Sequence, residues 1–474
     1  MTGFVGRVNE LALLANHLDQ VRRGGRLDKG QAILLRGRRR VGKSALVTEF
    51  VRRSGVPSVY FAAAKGAPLA DELAQLTLAI AESDLPRASV ARGNSPASLT
   101  AALSLLAAAL PSDSPSIVVL DEVPWLLAGL PGGAGELQRI WDRELAGKPV
   151  LLILLGSDLA MMEQLTEHDQ PYYARGTEFV LRPLNPRDVS SMTGLNAFEA
   201  FDAYLISGGL PLIVQDWERG MLPRDFLEDS LSRSTSSLFV SGERILSAEF
   251  SADARAREVL TAIGGRGERT FTSIQRAITG MTQVALTKSL KDLQDKRVIA
   301  ADQPLSIATA AKDKRWRIAD PSLRFWLAFV EPSCGDVERG RGDLALARVT
   351  AGFEAWRGRA IEPVVRASLE RLLPDQQWPA VNRLGSWWPR NNTPEVDLVG
   401  ADHSPASGVS FVGMIKWRSK GSVTKAEVDA LAADATAVPG VTVSTTLVAV
   451  CASGRVRDRR ITHSWTAADL LNAW

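Results

Sequence analysis

Eight consecutive residues constrain this chain more than any others: Gly37-Arg38-Arg39-Arg40-Val41-Gly42-Lys43-Ser44. The apolar run Ala32 to Arg36 leads straight into them. Ala45 to Arg53 follows, with Leu46, Val47, Phe50 and Val51 at helical spacing. A buried strand, a glycine-bounded turn and a helix are expected in that order. The turn fits G-x-x-x-x-G-K-[ST]. Gly37 and Gly42 would let successive N–H groups point inward. Those amides, with the start of the helix, would form an anion pocket. Lys43 would reach β- and γ-phosphates from an open cleft, and the Ser44 hydroxyl would ligate Mg²⁺. Arg38, Arg39, Arg40, Val41 and Ala45 complete the expected lining. A nucleoside triphosphate is the ligand this pattern fits.

A second segment supplies what a phosphate pocket lacks. Ser116 to Glu122 reads SIVVLDE, an apolar strand ending in two carboxylates. A continuous apolar run suits a parallel sheet covered on both faces. Ligands of such sheets sit at the carboxyl ends of the strands. Asp121 would then lie near Mg²⁺, and Glu122 would polarise an attacking water. A third apolar run, Val150 to Leu155, ends in Gly156-Ser157-Asp158. Ser157 has two readings there: a helix N-cap, or a polar contact to the γ-phosphate or the water.

Composition bounds the rest. With 474 residues, of which 45% are apolar and 23% charged, the chain suits a globular protein of two to four domains. No apolar run is long enough to cross a bilayer, and the segment starting Met1-Thr2-Gly3-Phe4 has no signal-peptide character. A cytoplasmic protein without a membrane partner is expected. Cys334 and Cys451 lie far apart, so a zinc cluster is not. The chain carries only +3, yet Arg255 to Arg317 holds 13 Lys/Arg and 6 Asp/Glu. That local excess suits either nucleic-acid contact or a solvated charged face. Ser83 to Ser98 reads as a flexible insert, and Leu130 to Gly135 as a loop.

These segments resemble the archaeal-type ATPases within the AAA+/STAND proteins. The likeness runs through Phe4-Val5-Gly6-Arg7, the phosphate loop, LDEVPWL and LLGSDLAMME. It implies an α/β ATPase core at 1–190 that binds ATP and Mg²⁺ and hydrolyses ATP. It places Phe4, Val5, Gly6 and Arg7 close to the adenine. It makes Leu181-Arg182-Pro183-Leu184 the strand that closes the sheet. Arg175 takes the position of the family's arginine, acting on a neighbouring subunit, on phosphate in cis, or as a structural ion pair. Gly208-Gly209-Leu210-Pro211 matches a turn in the helical lid, 191–250, and the resemblance puts Gly209 and Pro211 beside the nucleotide.

Beyond the lid, Trp316 to Pro321 and Leu323 to Trp326 resemble a subgroup fused to a C-terminal domain of unknown function. The pattern of short amphipathic helices from Arg255, ending in strand-like Arg297 to Ala300, describes a winged helix at 251–332. Its third helix, Val284 to Asp295, would present Thr287, Lys288 and Lys291 to DNA. Residues 345–474 look like a restriction-nuclease-type fold. There Glu362, Asp397 and Lys416 would hold the catalytic positions. Met414 stands where the family has a carboxylate, and a thioether is a poor ligand for Mg²⁺. A degenerate nuclease-like domain without cleavage activity is expected. The functional expectation is a nucleotide-driven switch or motor acting on DNA through the winged helix and the C-terminal domain. The alternatives are a regulatory ATPase with a protein partner and, third, an ATP-gated nuclease.

Overall fold

The computed structural model describes residues 4–24, 29–128, 130, 132–157, 162, 176–250, 254–308, 314–454 and 456–474. Its contacts divide the chain into two compact units, Met1–Pro183 and Leu184–Trp474.

The first unit is built on a five-stranded sheet. The strands are β1 (Gln31–Arg36), β2 (Ser58–Ala62), β3 (Ser116–Asp121), β4 (Val150–Gly156) and β5 (Gly176–Val180), in the order β2-β3-β4-β1-β5. Every neighbouring pair is parallel. The period of two sorts the side chains between two helical layers. Ile33, Leu35, Ile117, Val119, Ile153 and Leu155 pack against α1 (Val8–Arg23) and α2 (Lys43–Ser54). Leu34, Val118, Leu120, Leu152 and Leu154 pack against α3 (Leu69–Glu82) and α4 (Leu99–Ala109). Two shorter helices, α5 (Val123–Ala128) and α6 (Gly133–Ile140), follow the acidic strand.

Three expectations need correction here. The strand that closes the sheet is Gly176–Val180, not the segment from Leu181. Leu181 only prolongs it, its N–H donating to the Arg36 carbonyl at 2.7 Å. The stretch 83–98 is not a loose insert: it contains a helical turn, Ala88–Ala91, and buries Leu85, Ala88 and Ala91 against α3 and α4. The loop expected to run to Gly135 gives way to α6, which already starts at Gly133.

The second unit begins with α7 (Pro186–Thr193), α8 (Ala197–Ser207), α9 (Pro211–Gln215), α10 (Pro223–Leu231) and α11 (Ser237–Phe250). Then come α12 (Ala254–Ile263), β6 (Arg269–Thr270), α13 (Phe271–Ala277), α14 (Gln283–Asp295), β7 (Ile299–Asp302) and β8 (Arg315–Ile318). These three strands form an antiparallel sheet ordered β6-β8-β7. After α15 (Pro321–Phe325) and the long α16 (Gly342–Leu372) comes a second five-stranded sheet. It comprises β9 (Arg383–Trp387), β10 (Val396–Ala401), β11 (Val409–Lys416), β12 (Thr446–Cys451) and β13 (Ile461–Trp465). Strands β9 to β11 are antiparallel neighbours, and β11 to β13 are parallel. Helix α17 (Lys425–Ala435) makes the β11–β12 crossover, and α18 (Ala467–Asn472) ends the unit.

The Gly208-Gly209 turn is a packing device inside this unit. Both residues have positive φ, 62° and 67°. A Cβ on Gly209 would lie 2.0 Å from the Leu184 carbonyl oxygen, and one on Gly208 2.7 Å from the Ser322 nitrogen. Leu184 N–H donates to the Gly209 carbonyl at 2.8 Å, so the backbones cannot separate cheaply. Gly209→Ala is expected to destabilise the second unit by about 2 kcal/mol, from left-handed strain plus the clash. Urea unfolding followed by tryptophan fluorescence measures this, and an unchanged midpoint would contradict it.

Candidate functional site

The phosphate loop leaves β1 and enters α2 through Gly42, whose φ of 90° only glycine adopts without strain. Arg40 also takes a positive φ, 67°. Gly37 does not; its side chain is missing for space. A Cβ there would come 2.6 Å from the Leu181 carbonyl oxygen. Lys43 is 6% exposed, so it is buried rather than set in an open cleft. Its amine donates to the carbonyls of Gly37 at 2.7 Å and Arg38 at 3.2 Å. Burial lowers its pKa from the ordinary value, while Glu122 and Asp121 pull it back up. The two acids are therefore within electrostatic reach of the amine.

Sheet order brings the acids to the loop. β4 lies between β1 and β3, so the ends of all three strands open on one edge. Ser44, at the start of α2, donates its hydroxyl to Asp121 Oδ2 at 2.7 Å. Asp121 is 6% exposed, and its Oδ1 accepts the Glu122 N–H at 2.9 Å. Glu122 sits at φ 53°, off the end of the strand. Its Oε2 accepts the Ser157 N–H at 3.1 Å and the Ser157 hydroxyl at 2.9 Å. Arg39 Nε approaches the same hydroxyl at 3.4 Å, with its guanidinium 5.6 Å from the Trp125 ring. Loop, acids and Ser157 thus form one constellation. Ala45 lies exposed in the first turn of α2.

One member was missed in the sequence. Tyr60, on β2, donates its hydroxyl to Asp121 Oδ2 at 2.5 Å. Burial and the carboxylate push the phenol above its ordinary pKa, so it stays protonated and a donor. The available signal was the alternation in Ser58-Val59-Tyr60-Phe61: Val59 and Phe61 face the core, which turns Tyr60 to the other face.

The N-terminal segment braces the loop. Arg7, 4% exposed and at φ 60°, donates to the Val41 carbonyl at 2.8 Å and pairs with Glu10 at 3.1 Å. Gly6 precedes it with φ 80°, Val5 is exposed, and Phe4 packs at the edge of the α1–α2 core. Arg175 lies outside the described residues. Pro211 opens α9, and Gly209 packs within the second unit as above.

The residues present suit a hard cation. Ser44 and Asp121 offer oxygen donors, as Mg²⁺ requires. Among the described residues no group of three His, Cys, Asp or Glu is gathered for a metal. A magnesium ion here would complete its shell with phosphate oxygens and water.

Residues 3–129 match the family described as AAA ATPase domain. Residues 326–430 match a second family, described as archaea bacterial proteins of unknown function. An uncharacterized protein of Methanocaldococcus jannaschii is 25% identical over 420 residues, 88% of each chain. A Walker-type ATPase of Pyrococcus abyssi shares the fold at a TM-score of 0.50 and 19% identity, over 68% of this chain and 96% of that one. An ORC2 protein of Aeropyrum pernix, solved as ADPNP–ADP complexes, is more remote at a TM-score of 0.44 and 16% identity, over 74% and 98%. No described helix is long and apolar enough to cross a membrane.

Beyond residues 3–129, Glu362, Asp397 and Lys416 also converge. Glu362 on α16 and Asp397 on β10 interact electrostatically, and Lys416 acts on Asp397. Asp397 Oδ2 accepts the Ile415 N–H at 2.9 Å. Arg366 stands 3.6 Å from Glu362 and donates to the Asp397 carbonyl at 3.1 Å. Met414 is buried among Val399, Val412, Val428 and Cys451. Its apolar side chain is therefore a core residue of the sheet. Lys416 lies 4.0 Å from Glu427. Burial raises Glu362 from 4.5 to about 8, against the pull of Arg366. Between those values the folded chain binds more protons than the unfolded one, so stability falls as pH rises through that window. Glu362→Gln should flatten the slope. Urea midpoints compared from about pH 5 to about pH 8 test it, and parallel curves for variant and wild type would count against the assignment.

Proposed function

We propose that this chain binds ATP with Mg²⁺ and hydrolyses it. The reading rests on one observation: Ser44 of the phosphate loop and Asp121 of the acidic strand meet at 2.7 Å, with Glu122 next in the chain. The loop amides and Lys43 bind the phosphates. Ser44, with Asp121 behind it, would hold the Mg²⁺ that neutralises phosphate charge. Glu122 takes a proton from the attacking water, and Ser157 orients that carboxylate. Phe4 to Arg7 border the nucleotide in this reading.

The cycle works as a switch or motor on DNA through the module α12 to β8, read as a winged helix. Its helix–strand–helix–helix–strand–strand order and antiparallel three-stranded sheet support that reading. Thr287, Lys288 and Lys291 lie exposed on α14. A second reading, a protein partner on the same helix, draws on Val284, which is 81% exposed beside those lysines. The C-terminal sheet is read as a nuclease-like fold whose acids serve structure. Arg366 between Glu362 and Asp397 favours that over cleavage.

Turnover by wild type, Lys43→Ala and Glu122→Gln tests the chemistry. Lys43→Ala should abolish nucleotide binding. Glu122→Gln should keep binding and lose about 10²–10⁴-fold in turnover. Full activity in Glu122→Gln would remove Glu122 from its role. Duplex DNA should raise wild-type turnover. Replacing Lys288 and Lys291 by Ala should weaken DNA binding and flatten its salt dependence by about one unit of log–log slope per lysine. Flat turnover with every nucleic acid and no salt-dependent binding would instead favour the protein partner.

A further inference from the structure

We infer that Tyr60 is a positioning residue for the metal side of this site, fixing the Asp121 carboxylate through its phenol hydroxyl. The inference rests on the ATP and Mg²⁺ reading above.

Tyr60 is paired in register with Val119 on β3. Asp121 is two residues further along, on the same face as Val119. A long side chain on one strand reaches that diagonal neighbour. The face is the one α2 covers, since Val119 packs with Leu46, Val47 and Phe50. Tyr60 from one side and Ser44 from the first turn of α2 therefore meet over Asp121.

The contact uses up one carboxylate oxygen. Asp121 Oδ2 accepts Ser44 Oγ at 2.7 Å and Tyr60 OH at 2.5 Å. Each carboxylate oxygen has about two lone-pair sites, so Oδ2 is filled. Oδ1 already holds the Glu122 N–H at 2.9 Å. Three donors from three segments leave the carboxylate one orientation. The Ser44 hydroxyl proton is thereby committed to Asp121, which leaves its oxygen only an acceptor's role toward a cation. Asp121 would then act on that cation through water rather than by direct contact.

Packing does not explain the hydroxyl. The core side of β2 is served by Val59 and Phe61, whereas Tyr60 is 37% exposed on an edge strand. An exposed ring would ordinarily turn its hydroxyl to water. A short bond to a carboxylate is instead the charge-assisted kind that sets geometry.

The test is a titration of the full chain with a fluorescent ATP analogue, in excess EDTA and across a Mg²⁺ series. Tyr60→Phe keeps the ring and removes only the donor. It should bind nucleotide like wild type in EDTA, and need about tenfold more Mg²⁺ to reach the half-point of the magnesium-dependent signal. A double-mutant cycle with Asp121→Asn separates positioning from packing. The Tyr60→Phe effect should vanish in the Asp121→Asn background. A wild-type Mg²⁺ midpoint in Tyr60→Phe, or an effect that persists without the Asp121 carboxylate, overturns the positioning role alone. A wild type that binds no nucleotide in any condition overturns the ATP reading itself.

Discussion

A single hydrogen bond, Ser44 to Asp121, ties the start of α2 to the end of β3. Everything else in the candidate site is arranged around it. The bond can form because β4 is the only strand between the loop strand and the acidic strand, and because all three run parallel. Parallel strands bring their carboxyl ends to one edge, where helix N-termini also point. Loop amides, Lys43, two carboxylates and Ser157 thus reach one place from distant parts of the chain. Arg7 braces the loop from behind by holding the Val41 carbonyl.

Burial gives this constellation its electrostatic strength. A lysine ammonium and an aspartate, each almost fully covered, interact in a medium far less screening than water. Such groups are costly unless they are paired or hydrogen-bonded. Here each is: Lys43 by loop carbonyls, Asp121 by three donors. Their partners also set their directions.

The second unit uses buried charge differently. Arg357 and Asp202 pair at 2.9 Å between α16 and α8, with the guanidinium over Phe198 and Phe353. Arg315 on β8 contacts Glu395 at 2.5 Å and Glu268 at 3.6 Å while lying over the Trp388 ring. Arg315 thereby joins the three-stranded sheet to the C-terminal sheet. Arg366 does the same for Glu362 and the strand bearing Asp397. Of the carboxylates that the sequence pattern groups together, Glu362 faces Arg366, and that of Asp397 accepts the Ile415 N–H. Spacing alone does not distinguish a metal ligand from a buried acid beside an arginine.

The strand–loop–helix at Ala32 to Arg53, the acidic strand and the run ending in Ser157 were legible in the sequence, because each is encoded locally. Apolar periodicity and a glycine-bounded turn depend on residues a few positions apart. The order β2-β3-β4-β1-β5 was not legible, since it depends on which strands pair across the chain. For the same reason Tyr60 was missed, Lys43 proved buried, and Gly37 turned out to be needed for closeness to Leu181 rather than for its φ. Local pattern alone determined the chemical parts of the site. Only the tertiary structure decided which parts touch, because contacts between distant segments are fixed by sheet register and burial, which no short window of sequence contains.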